Sequence, residues 1–394
     1  MKRFTKGLIG LILLVILVWL GVWFYAEMRI KQLVEARIEQ INASGSGQLT
    51  YARIITSRSP LVAGVSLTNP QLSMALTPSS LPVDITAARI GAHVNLFDPL
   101  TLHIDFPLKI TLGKPGEAGI VTFASANVTE SLTPSVWQGN TLNPISAGLY
   151  DFKGISLFAS NGSLEVAKID SLSLTQTLNA QANTTKTALM LTESLKNLQI
   201  SPLFARLFGL PFNGKITSLA SSLSLSGPLN WEQIAHQEAS LQTNDQRHLF
   251  LMQTFHQWAK SGGNAQGNLS LQIGPSHMKT DFTLAFDQQV QPKGTTNISA
   301  DHLTEFNDAL VAAYPDLQTS ISQIEASLAP YTSSTPQGGQ MLQLHATYGQ
   351  DGVFLNGQKT GTEPYLNWNA LLSSAPLPVF APGDGSGAAT TVTK

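Results

Sequence analysis

The sequence predicts a mainly β (α+β) protein, in which an N-terminal transmembrane helix precedes an elongated, curled, mostly antiparallel sheet with a few covering helices. Three observations lead there. Residues 7–26 (GLIGLILLVILVWLGVWFYA) carry no charge, and about twenty apolar residues in a helix rise roughly 30 Å, the thickness of a bilayer's hydrocarbon core. From about Gln48 the hydrophobic period changes from helical to two, as in strands with one buried face. Charged residues make up 12% of the chain, half the usual share, and uncharged polar residues fill the outward positions.

The apolar run contains Leu8 and Leu14 and closes on Trp19, Trp23, Phe24 and Tyr25, rings of the kind that settle at headgroup level. A cleaved signal peptide is the rival reading. Its apolar core would be shorter and would end in small residues, whereas this run exits through Trp-Phe-Tyr-Ala-Glu. Ile30, Leu33, Val34, Arg37, Ile38 and Ile41 recur at helical spacing, so the helix is expected to continue to Asn42–Gly45. Basic residues flank the span on both sides. The short basic N-terminus and the long polar remainder favour a single-pass protein of the inner (cytoplasmic) membrane, N-terminus inside and body in the periplasm.

Alternating segments follow: Leu49–Ile55, Leu100–Phe106, Gly119–Phe123, Ser163–Val166, Asp170–Leu174, Lys215–Leu219, Leu223–Ser226 and Asn268–Ile273. Turn formers punctuate them at Thr68-Asn69-Pro70, Asp98-Pro99, Asn161-Gly162, Asn213-Gly214, Gly274-Pro275 and Asp351-Gly352. The last, between Leu342–Ala346 and Val353–Leu355, is the clearest hairpin. Ser201-Pro202 should open a short helix that Gly209 closes. A longer one is expected from Trp231 to Lys260, with a break near Thr243-Asn244. A helical pair follows, split at Pro315. The expected organisation is residues 1–6 in the cytoplasm, 7–26 as the transmembrane helix, 27–44 as a juxtamembrane helix, 45–375 as a β-rich periplasmic domain and 376–394 as a disordered tail.

Composition excludes several classes of protein. There is no cysteine, hence neither a disulfide scaffold nor a lipoprotein anchor, and a net charge of −2 offers no footprint for nucleic acid. Gly209–Ile216 nearly spells a phosphate loop, but Ile216 stands where Ser or Thr is needed for magnesium and Pro211 removes a donor. Ser276-His-Met-Lys279 has the Ser-x-x-Lys spacing of some acyl-enzymes, yet it follows a turn between strand patterns instead of opening a helix. The eight histidines show no tight ligand spacing. No catalytic, cofactor-binding or metal-ligating residue is assigned, and no cofactor is expected. Phe255 and Trp258, on the most aromatic helical stretch, are candidates for either ligand contact or packing on the sheet.

Several short stretches stand out together: Trp23-Phe24-Tyr25-Ala26, Ser46-Gly47-Gln48-Leu49-Thr50-Tyr51, Ser59-Pro60-Leu61 and Thr68-Asn69-Pro70-Gln71-Leu72. The C-terminal half adds Gln257-Trp258-Ala259-Lys260-x-Gly262-Gly263, Gln291-Pro292-Lys293-Gly294 and Asp351–Gly357. In these stretches the chain resembles a bacterial family, domain of unknown function 2125. The resemblance implies a membrane-anchored, β-rich envelope protein, similar in plan to AsmA-like proteins whose sheet curls into an apolar groove. It implies no activity. Two functional expectations result. One is a non-enzymatic protein that handles lipid or another apolar ligand in a sheet groove during envelope maintenance, with the bilayer as its partner. The other is a structural or adaptor protein with a closed core and envelope protein partners.

Overall fold

Six long arms that should each lie flat are instead broken, or bulged, at the same level, and that shared line shapes the first half of the molecule. The computed structural model describes residues 2–43, 47–75, 82–113, 119–139, 145–159, 162–179, 182, 186–231, 233–234, 237, 241, 243–334 and 340–373, with side chains from Leu13 onward except at Ala75, Pro82 and Asn244. One helix, α1 (Lys2–Ala43), runs unbroken through the apolar stretch and beyond it, and it is long and apolar enough to cross a membrane. All strands described join one open sheet, and every pairing in it is antiparallel.

The first arm is β1 (Gly47–Thr50) plus β2 (Arg53–Thr56), and the second is β3 (Val62–Thr68) plus β4 (Gln71–Ala75). The third is β5 (Pro82–Thr86) plus β6 (Arg89–Asn95), and the fourth is β7 (Asp98–Asp105) plus β8 (Lys109–Leu112). The fifth is β9 (Gly119–Thr122) plus β10 (Ser125–Leu132). The sixth, β11 (Ile145–Ala159), is continuous, pairing β10 with its first half and β9 with its second. Each arm pairs with the next in sequence, so the topology is a meander.

The breaks have local causes. Asn69 takes a left-handed φ of 47° before Pro70, which has no N–H to donate; Pro107 interrupts the fourth arm, and Gly154 (φ 57°) bulges the sixth. Hydrogen bonds continue along the break: Asn69 N–H to Ala88 O (2.9 Å), Phe123 N–H to Leu108 O (2.9 Å) and Ala124 N–H to Lys153 O (2.9 Å). The sheet is therefore creased, not cut. Thr68-Asn69-Pro70 thus bends one arm where its turn chemistry suggests a reversal, and Leu49–Ile55 is not one strand but two, bent at Tyr51–Ala52.

Beyond the crease the meander continues through β12 (Leu164–Leu178), β13 (Thr187–Ile200), β14 (Lys215–Ser226), β15 (Asn264–Ile273), β16 (Ser276–Phe286) and β17 (Pro292–Asp301). It ends on β18 (Thr332–Ser334), β19 (Gln340–Gly349), β20 (Gly352–Leu355) and β21 (Gln358–Gly361), with β19 and β20 forming the hairpin expected at Asp351-Gly352. The separate segments 163–166 and 170–174 merge into β12, and 215–219 and 223–226 merge into β14.

Helix α2 (Pro202–Leu207) starts at Ser201 as expected, although the Ser201 hydroxyl makes no cap bond. Helix α3 (Asn244–Lys260) begins at the expected break because Thr243 and Gln246 form a reciprocal capping box. Helices α4 (Leu303–Ala313) and α5 (Gln318–Leu328) flank Pro315, and α6 (Trp368–Ser373) is a helix the periodicity did not reveal. The expected tail, 376–394, lies outside the described residues.

Gly294 in β17 shows how tightly the sheet is built. Tyr348 reaches over it to donate to Thr283 O (2.8 Å), and a Cβ at this position would stand 2.0 Å from that same carbonyl oxygen. Gly294→Ala should therefore destabilise the body by about 1–3 kcal/mol, measured as a lower denaturant midpoint in detergent solution. An unchanged midpoint would contradict the close approach.

Candidate functional site: an apolar cavity roofed by the N-terminal helix

One face of α1 past the apolar run is built to be covered. Ala26, Ile30 and Leu33, spaced three and four apart, bury against Ala63 and Val65 of β3, Val94 of β6, Leu102 of β7, Leu132 of β10 and Val136. Trp19 Nε1–H donates to Pro60 O (2.9 Å), Trp23 Nε1–H to Val62 O (3.2 Å) and Arg29 Nη2–H to Val136 O (2.9 Å); the Tyr25 hydroxyl bonds Trp137 O. At the other end Asn42 clamps β1 twice, donating through Nδ2 to Leu49 O (3.2 Å) and accepting from Leu49 N–H (2.6 Å).

Between these two clamps the helix bridges the crease and leaves a cavity of about 750 Å³ beneath it, within the ~300–1,000 Å³ typical of ligand sites. Leu33, Val34, Arg37, Ile38 and Ile41 form the roof. Leu67, Ile90, Ala92 and Ile104 line one slope of the crease, and Leu49, Leu72, Ile85 and Ile110 line the other. The lining is aliphatic apart from a few polar groups, notably Arg37, Gln40, Thr86 and Glu130.

Glu130 is 9% exposed and accepts a hydrogen bond from the Tyr150 hydroxyl (2.7 Å). Burial, then the Glu130 hydrogen bond and the negative charge of Glu130, push the Tyr150 phenol well above its ordinary value. Arg37 Nη1–H donates to Gln40 Oε1 (2.8 Å), which leaves its remaining guanidinium donors available at the roof.

The cavity floor continues as an apolar track across the sheet. Phe106, Phe123 and Phe152 pack ring to ring at the crease, with centroids 5.1–5.5 Å apart. Register then carries the same face from Phe152 to Leu172, Leu195, Leu219, Leu271, Met278 and Ala300 on successive strands. Six inter-strand steps of about 4.8 Å make a path of roughly 29 Å. Leu172, Leu219, Leu269 and Ile298 on this face are exposed, while Glu193 interrupts it.

Phe255 and Trp258 lie at the far end. Trp258 is 3% exposed, donates from Nε1 to Ser226 O (2.9 Å) and packs with Phe255, Phe286, Ala265 and Trp368 in a second core. Both rings are thus packing residues remote from the cavity. Among the anchor residues, Leu14 and Phe24 face outward, Tyr25 is exposed but held to Trp137 O by its hydroxyl, and Trp19 and Trp23 are half-buried against the turns. Leu8 is in the helix, but its side chain lies outside what the structure describes.

Other singled-out residues have structural roles. The Ser276 hydroxyl is fully buried and donates to His302 O (3.0 Å), and Lys279 is a strand residue facing Asp281. Within Gly209–Ile216, Phe212 and Asn213 adopt left-handed φ angles in a turn that runs straight into β14. Among the described residues no three His, Cys, Asp or Glu side chains stand together as a metal site.

Residues 23–348 match the family model DUF2125, described as an uncharacterised protein conserved in bacteria, and the chain belongs to that family. No curated protein and no solved structure matches it.

The raised Tyr150 gives a test of the polar corner. The neutral phenol is favoured in the folded state, so its contribution is complete below the unfolded value near 10 and is lost as pH climbs toward the folded one. Burial also raises Tyr348, so absorbance titration should show two tyrosines fewer ionising near pH 10 in the folded wild type than in the denatured chain. Tyr150→Phe should reduce that deficit to the one due to Tyr348 and lessen the stability loss above pH 10.

Proposed function

We propose that this protein is a membrane-tethered, non-enzymatic carrier that shelters the apolar chain of an amphiphile, such as a lipid acyl chain, between α1 and the creased sheet. The observation that carries the reading is the cavity of about 750 Å³, roofed by the extension of the helix that reads as the anchor. An unfilled aliphatic space forgoes about 25 cal/mol for each Å² that an apolar ligand would cover. The polar corner of Arg37 and Glu130, the latter held by the Tyr150 hydroxyl behind it, suits the hydrogen-bonding head of the same molecule. The open apolar track beyond the crease supports the same reading, since a surface of this length on a soluble face marks a ligand or partner.

The proposed setting is the inner membrane of a bacterial cell, with the N-terminus inside and the body in the periplasm. Burial of Ala26 and Ile30 against the sheet favours retention of the helix, because cleavage at the end of the apolar run would cut through a packed contact. The structural or adaptor reading keeps one observation in its favour: α3 and α6 close the far end of the apolar face with a packed aromatic core.

Protein purified in mild detergent should carry lipid detectable by mass spectrometry of an organic extract. Ala92→Trp, which puts an indole into the cavity floor, should reduce that occupancy severalfold while leaving the circular-dichroism spectrum intact. Should the large ring prevent folding, Arg37→Ala provides the second comparison and should weaken retention of anionic amphiphiles. Lipid-free extracts in several mild detergents would overturn the carrier reading.

A further inference from the structure

The turns between arms are clamped to α1 at a height that conflicts with a body standing clear of the membrane. Pro60 and Phe97 both meet Trp19, the first through the indole N–H and the second through ring contact at 5.2 Å. Trp19 lies well inside the uncharged run 7–26. Only residues 7–18 precede these contacts, about 18 Å of helix at 1.5 Å per residue, against a hydrocarbon core of roughly 30 Å. Lys2, Arg3 and Lys6 hold the other end at the headgroups.

The turn tips are made for such a place. Leu61 is 50% exposed and Phe97 75% exposed, and Leu100 follows on the same tip. Irregular backbone is tolerated in lipid only if its polar groups are satisfied within the protein. Here they are. Ser59 N–H bonds Ser57 Oγ, Leu61 N–H bonds Ser59 Oγ, Val62 N–H bonds Ser59 O, and Phe97 N–H bonds Asn95 Oδ1. Leu96 N–H takes Leu61 O (3.1 Å), and the two indoles take Pro60 O and Val62 O. Pro60 itself has no N–H to satisfy. Arg58 and Asp98, exposed beside the two tips, set the limit of depth, because a charge is strongly disfavoured at mid-bilayer.

We infer that the β2–β3 and β6–β7 turns are themselves membrane elements. Leu61, Phe97 and Leu100 insert beside Trp19 into the leaflet facing the body, so the sheet stands in the bilayer's edge and the cavity opens close to the lipid. The inference rests on α1 spanning the membrane, and does not depend on what the cavity holds.

The chain has no cysteine, so single substitutions can carry an environment-sensitive fluorophore without background. Full-length Leu61→Cys, Phe97→Cys, Leu14→Cys and Lys109→Cys, labelled with NBD, would be reconstituted in phosphatidylethanolamine–phosphatidylglycerol vesicles. Phosphatidylcholine bearing a doxyl group near the top of the acyl chain would be the quencher. Lys109, exposed beyond the crease on the arm that leaves the Phe97 turn, should give red-shifted, unquenched emission. Labels at 61 and 97 should be blue-shifted and lose most of their intensity, like Leu14. Quenching at 14 with water-like emission at 61 and 97 would overturn the inference and mean that the bilayer thins around a short span. Loss of quenching at 14 as well would overturn the spanning helix and the inference with it.

Discussion

Ala26, Ile30 and Leu33 are packed out of reach of solvent against Ala63, Val65, Val94 and Leu102, and the rest of the architecture is set by that contact. It joins the only long apolar helix described to the inside of the crease, and it does so with side chains of one helical face. Hydrogen bonds from Trp19, Trp23 and Arg29 lock the axial position on one side, and the paired Asn42–Leu49 bonds lock it on the other. A helix held at both ends over a concave sheet must leave space where the two surfaces diverge. The cavity is that space.

The crease makes the concavity. An antiparallel sheet twists but does not fold sharply unless its arms are interrupted at a common level. Here three of the six interruptions have different local causes: a left-handed Asn before Pro70 in the second arm, Pro107 in the fourth and a glycine bulge at 154 in the sixth. Because the ladder bonds run on across the line, the two slopes stay in register and the phenylalanines at positions 106, 123 and 152 close its inner corner. The apolar face can then pass from the enclosed cavity to the open track without a change of side. On the carrier reading proposed above, that continuity would let an apolar chain extend from the cavity onto the sheet.

Much of this was legible from local pattern. Period-two segments found the strands, the break expected near Thr243-Asn244 falls at the start of α3, and Pro315 divided α4 from α5, since each signal is complete within a few residues. The candidate site was legible only in halves. Leu33, Val34, Ile38 and Ile41 are visible as one helical face, but nothing nearby in sequence says that Ile90 and Ile104 lie beneath it, some fifty to seventy residues away. Phe255 and Trp258 drew attention by their aromatic density. Their partner Trp368 lies about 110 residues further on, and it is this long-range contact that makes them core.

By itself, then, the sequence determined the length and continuity of α1, the antiparallel β-rich body and the sidedness of its strands, because those depend on hydrophobic period and on turn residues. Tertiary structure decided how the same signals are used. Asn69-Pro70 can reverse a chain or bend it, and pairing with the third arm on both sides, through bonds such as Asn69 N–H to Ala88 O and Ala87 N–H to Pro70 O, selects the bend. An apolar face declares that something must cover it, but not what. Whether the cover is another strand, a helix or a ligand depends on pairings between distant residues, which local chemistry permits without specifying.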